Sequence, residues 1–111
     1  MALRPLQFHG DSLTRLQAFP MQARSDAGYE LFLVQGGKDP RDWKPMSTIG
    51  PGVRENRVRD ETGGYRVVYV ANLPDAVHVL HAFQKRTQKT EKRDLDLATA
   101  RFRRLKQEQT R

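Results

Sequence analysis

A chain of 111 residues has room for one hydrophobic core, and a hydrophobic content of 37% supplies a modest one. Twenty Lys and Arg against 13 Asp and Glu leave a formal charge of +7, which favours polyanions as partners, nucleic acid first and anionic membrane surfaces second. The lack of cysteine excludes disulfides and thiolate metal sites, and no apolar run approaches the ~20 residues that a membrane-spanning helix needs.

His9, His78 and His81 form no zinc-ligand pattern with nearby carboxylates, so no metal or other cofactor is expected. The start, MALRPLQFHG, lacks the apolar centre of a signal peptide. The expectation is one domain over residues 1–111, located in the cytoplasm.

In chain order, LRPLQF (3–8) reads as a short edge strand weakened by Pro5. Asp11 or Ser12 can cap a helix on which Leu13 and Leu16 share a face, until Phe19-Pro20 interrupts it. Ala23, Ala27, Leu31 and Val34 then fall on one helical stripe, and Gly36-Gly37 ends the helix. The prediction is a helical hairpin over about 11–35.

Residues 38–52 are rich in Pro and Gly and read as a loop, with Trp43 as its anchor to the core. VRENRVRD alternates from Val53, putting Glu55, Arg57 and Arg59 on one side and Arg54, Asn56 and Val58 on the other. A turn at Glu61-Thr62-Gly63-Gly64 leads into a strand over 65–71, and a second turn at Pro74-Asp75 leads into a strand over 77–83. From about Thr90, a possible cap, Leu95, Ala98, Phe102 and Leu105 mark one face of a last helix. The fold class is α+β: a helical hairpin and a C-terminal helix packed on one side of a curved, mainly antiparallel sheet.

Glu55, Arg57 and Arg59 share a strand face, Arg66 sits near the start of the neighbouring strand, and Lys85 and Arg86 leave the third strand at the same edge. Clustered guanidinium and ammonium groups bind phosphate through paired, charge-assisted hydrogen bonds. A solvated basic strand face accounts for the same pattern. RNA cleavage by the neighbouring 2′-hydroxyl needs a base, cations on the pentacovalent phosphate and a proton for the leaving oxygen, with no metal. Glu55 is one candidate base, weakened by its arginine neighbours. His81 is another, although strand parity groups it with Val77, Val79 and Phe83 as a core residue and sets His78 on the opposite face.

The stretch GYELFLVQGGKDPRDWKPMSTIGPGVRENRVRD, followed by GGYRVVYVANLPDAVHVLHAFQKRTQKTEKRDLDLATARFRRL, resembles the phage-derived, HigB-like branch of the RelE/ParE toxin superfamily. The resemblance runs from Gly28 to Leu105 and rests on the combination of Gln35-Gly36, Trp43-Lys44-Pro45-Met46, Glu55-x-Arg57, Gly64 to Tyr69, and Leu80 to Lys85. It implies a RelE-like fold and a type II toxin, sequestered by a neighbouring antitoxin that often carries a helix-turn-helix domain. RelE-like members cleave messenger RNA on the ribosome without metal, through basic residues on the concave sheet. ParE-like members share the fold and poison DNA gyrase, and a non-catalytic nucleic-acid-binding protein is a third reading.

Carried over by position, Arg57 matches the basic residue of the second sheet strand. Arg66 matches the arginine that contacts the scissile phosphate, and Lys85 or Arg86 the basic residue after the last strand. With Glu55 and His81 these form the candidate catalytic set, and Arg59, Arg86, Lys89, Lys92 and Arg93 the candidate RNA-binding set. Asn56 stands where the branch usually has an apolar residue, and no tyrosine follows Tyr69 to match the C-terminal tyrosine of some RelE proteins.

Overall fold

The structure, a computed structural model, describes residues 3–110. Its elements in chain order are β1 (Leu6–Phe8), α1 (Ser12–Gln17), α2 (Met21–Gln35), β2 (Trp43–Pro45), β3 (Val53–Asp60), β4 (Gly63–Val70), β5 (Val77–Lys85) and α3 (Lys92–Gln109). The five strands form one sheet in the order β1-β5-β4-β3-β2, with β1 parallel to β5 and every other pair antiparallel.

Local chemistry sets the element ends. Pro20, which has no N–H to lose, occupies the position before α2. At the other end Gly37 takes a φ of +84°, its N–H bonds the Val34 carbonyl and the Lys38 N–H bonds that of Leu33, closing a Schellman cap. In the β3–β4 hairpin, the Asp60 carboxylate accepts from the Thr62 N–H at 2.7 Å and its hydroxyl at 2.6 Å.

The sheet has helices on both faces, not on one. Leu16, Phe19, Ala23, Ala27 and Leu31 of the helical hairpin pack on Val58, Tyr65, Val67, Val79 and Ala82. On the opposite face Ala98, Phe102 and Leu105 of α3 pack with Met46 and Ile49 on Val53, Val68, Val70 and Leu80. Strand β4 is therefore buried on both sides, and its run Val67-Val68-Tyr69-Val70 is continuously apolar instead of alternating. Gly50 lets α3 approach, since a Cβ there would sit 2.2 Å from the Phe102 ring.

Four local expectations are corrected. Leu13 does not share the buried face of Leu16 but stands exposed. The segment 38–52 contains β2, which extends the sheet by pairing Trp43 with Asn56 and Lys44 with Glu55. Trp43 does not enter the core; the Arg54 guanidinium lies 3.9 Å from its ring centroid, a cation–π contact on the sheet edge. Thr90 does not cap α3, because its hydroxyl bonds Glu55 at 2.9 Å. Asn56, in turn, is buried and donates to the Asp42 carbonyl at 3.0 Å, fastening the approach to β2 as an apolar residue could not.

Candidate functional site

Register arranges the α3-side face of the sheet in rows. Glu55, Val68 and His81 form one row, Arg57, Arg66 and Phe83 the next, and Arg59, Gly64 and Lys85 the last. The His81 row exists because β5 carries a bulge: Tyr69 pairs with Val79 and Val68 with His81, leaving Leu80 as the extra residue. The bulge reverses parity, so His81 shares a face with His78 and Glu55 and not with Val77 and Val79.

Helix α3 and the segment before it cover the first row. His81 is fully buried, with Nε2 2.7 Å from Asp94 Oδ1 and Nδ1 3.4 Å from an Arg101 amine. Arg101 can only donate, so Nδ1 accepts and Nε2–H donates to Asp94. Burial first, opposed by Asp94, pushes the His81 pKa below its ordinary value and keeps the ring neutral. His81 is thus a satisfied core histidine and not a base facing a substrate. Glu55 is likewise fully buried and cannot meet a substrate as a base. Its Oε1 lies 3.4 Å from Arg66 Nε and 4.0 Å from Lys44 Nζ, while Oε2 accepts from Thr90.

Beyond the first row the cover thins: Arg66 and Phe83 are still buried, while Arg57, Arg59, Gly64 and Lys85 reach solvent. A cleft of about 500 Å³ opens there, lined by Arg57, Arg59, Arg66, Lys85 and Arg86, with Gly64, Thr87 and Gln88 completing its walls. Five cations and no carboxylate face this space. Gly64 leaves room for the Arg66 guanidinium, since a Cβ there would stand 3.2 Å from Nη1. Arg66 is only 5% exposed, with Nη1 on the Tyr65 carbonyl at 3.1 Å and Nε toward Glu55. Burial lowers the pKa of Lys85, and the positive charge of Arg66 lowers it further. Burial is also the main cause that lowers Arg66. Arg57 and Arg59 lower Arg66 further, so each of the two cations sits beside like charge that an anion in the cleft would offset.

The structure brings together Arg57, Arg59, Arg66, Lys85 and Arg86, as the sequence pattern required of a phosphate cluster. Arg57 also pairs with Asp42 at 3.0 Å on the rim. Lys89 lines an adjacent cavity instead. Lys92 and Arg93 lie exposed in the first turn of α3, where Lys92 pairs with Asp96 at 2.7 Å, and neither lines the cleft. Sequence reasoning missed Gly64, Thr87 and Gln88, although the polar run after Phe83 was the signal that a wall leaves the sheet there. Among the described residues, no group of three or more His, Asp or Glu side chains is placed to hold a metal ion. None of the described helices is long and apolar enough to cross a membrane.

Residues 14–103 match the family model described as phage derived protein Gp49-like. No curated protein matches the sequence. Among solved structures, a mutant of the E. coli toxin RelE in the free state aligns with a TM-score of 0.60 over 94% of this chain and 99% of that one. At 15% identity this is a likeness of fold. The RelE/ParE resemblance read from the sequence is thereby borne out in family and architecture: the chain belongs to the phage-derived Gp49-like family and has the RelE fold.

Proposed function

We propose that this protein is the toxin of a toxin–antitoxin pair and acts as a metal-independent endoribonuclease on messenger RNA held by the ribosome. The observation that carries the reading is the cleft at one end of the sheet, where five cations converge without a carboxylate. Arg66, held from behind by Glu55, and Arg57 bind the non-bridging oxygens of the phosphate. They stabilise the charge that grows there as the 2′-hydroxyl attacks, its proton passing to solvent water in the open cleft because neither Glu55 nor His81 is exposed to take it. Lys85, whose lowered pKa makes it a better acid, gives a proton to the departing 5′ oxygen. Acceleration comes from fixed charge and placement more than from an acid–base pair, and the ribosome presents the strand to the cleft in the reactive geometry.

The partner in this reading is an antitoxin encoded alongside, with an acidic segment that covers the same cleft; opposite charge speeds and orients such an association. The protein acts where ribosomes are, in the cytoplasm, and needs no cofactor. Primer extension on programmed ribosomes incubated with the purified protein tests the reading. Cuts within the ribosome-bound message support it, and intact message beside a well-folded protein overturns it.

A further inference from the structure

A second cavity of about 340 Å³ adjoins the cationic cleft, and Gln88 lines both. We propose that this cavity is a base-binding subsite for single-stranded RNA, taking the nucleotide next to the phosphate held by Arg66 and Lys85. The inference rests on the RNA reading of the cleft and adds to it where sequence preference arises.

The two spaces differ in chemistry. The cleft is walled by charge, whereas the adjoining cavity has an apolar wall of Pro45, Met46 and Leu95 and a hydroxyl rim of Ser47, Thr48 and Thr90. Lys44 and Lys89 are its two cations. A flat heterocycle with donors and acceptors on its edge matches such walls; a phosphate does not. No aromatic side chain lines the cavity, so discrimination here comes from hydrogen bonds at the base edge and not from stacking. Its volume sits near the lower end of ligand pockets, which start at about 300 Å³, and suits one nucleoside.

The walls are also fixed. The Met46 N–H bonds the Val53 carbonyl at 2.8 Å and the Ile49 N–H bonds that of Met46 at 3.0 Å, closing the turn that carries Ser47 and Thr48. On the other side, Thr90 is tied to Glu55, the same buried carboxylate that holds Arg66. One carboxylate therefore sets the spacing between the phosphate clamp and the wall of the subsite. Ser47 and Thr48 are exposed and make no contact that the core depends on, so they can be changed without unfolding the protein.

The test uses non-cleavable 2′-O-methyl trinucleotides that differ in one terminal base, with binding followed by fluorescence anisotropy. The native protein should prefer one base by roughly three- to tenfold, the worth of one or two net hydrogen bonds. Ser47→Ala combined with Thr48→Val should reduce that preference to less than about twofold, leaving the weakest-bound trinucleotide almost unaffected. Lys85→Ala should weaken all four trinucleotides alike and keep the preference. A preference that survives the double substitution overturns the subsite, as does a native protein that binds the four equally. Base-selective binding by a protein that never cuts ribosome-bound message upholds the subsite and retires the nuclease reading instead.

Discussion

The two faces of the sheet are built from the same three long strands and end differently. Under α1 and α2, Val58, Tyr65, Val67, Val79 and Ala82 are sealed along the length of the face. Under α3, Val53, Val68, Val70 and Leu80 are sealed, but the helix stops short of Arg57, Arg66 and Lys85. Burial on the second face is thus interrupted where charge begins. Arg66 stands on that boundary, sealed enough to be held by a buried carboxylate and open enough to line the cleft.

The boundary is most easily broken at Arg66. Arg66→Ala should cost stability although Arg66 stands near a strand start, because the substitution leaves Glu55 buried without its closest cation. Losing one partner of a buried pair costs about 3 kcal/mol or more. Cleavage should fall at least about a hundredfold as well, as for loss of one charge-stabilising donor. Adding Glu55→Gln removes the stranded charge, so the double variant should regain much of the melting temperature while remaining inactive. Equal melting of the native and Arg66→Ala proteins would show that the pair carries no structural weight.

Lys85 and Arg57 lie on the open side of the boundary, and their replacement should separate activity from stability. Lys85→Ala should lower cleavage by roughly ten- to a hundredfold with melting little changed. Activity of the native protein should decline as pH rises through the Lys85 pKa, which lies below the usual lysine value because of burial and Arg66. Arg57→Ala loses a rim pair with Asp42 worth less than about 1 kcal/mol, and its effect on cleavage should be the smaller of the two. A Lys85→Ala protein with the same pH profile as the native one argues that the amine is not the proton donor.

On the sealed side, His81 makes stability depend on pH. Its folded pKa is lowered, so below the ordinary histidine value near 6.5 the unfolded chain takes a proton that the folded ring refuses. Stability should be constant above that value and fall as pH drops below it. His9, also lowered, chiefly by burial and then by His78, adds to the same slope. His81→Gln should flatten part of the slope between pH 7 and 5 and leave cleavage per folded molecule unchanged. A slope as steep as in the native protein would assign it to other groups.

Much of this was legible in the sequence, and what was not has definite physical causes. The stripe of Ala23, Ala27, Leu31 and Val34, the Gly36-Gly37 stop and the three long strands are local signals, and they hold. Strand β2 was hidden because Trp43-Lys44-Pro45 is too short to show a period and sits among turn residues. The face of His81 was misjudged because the bulge leaves no mark in the residues Val77 to Phe83 that form the strand. The cation cluster could be read, since Arg57 and Arg66 meet across one tight hairpin and Lys85 joins them from the end of the next strand. The buried state of Glu55 could not, because it depends on where a segment some 35 residues further on comes to lie.

The smallest effect expected is at Lys92 and Arg93, which charge alone had grouped with the RNA-binding residues. Both project from the first turn of α3, outside the cleft, and Lys92 is already paired with Asp96. Exposed charges act on a polyanion through the general field, which salt screens over about 8 Å at physiological ionic strength. Lys92→Ala with Arg93→Ala should therefore weaken RNA binding at low salt and change it by less than about twofold at physiological salt. Lys85→Ala, which removes an amine that lines the cleft, should weaken binding at both. Binding titrations of the two variants across a salt series make the comparison. If the two residues on α3 matter as much as Lys85 at physiological salt, the RNA path extends from the cleft along the helix, and the cleft is only part of the site.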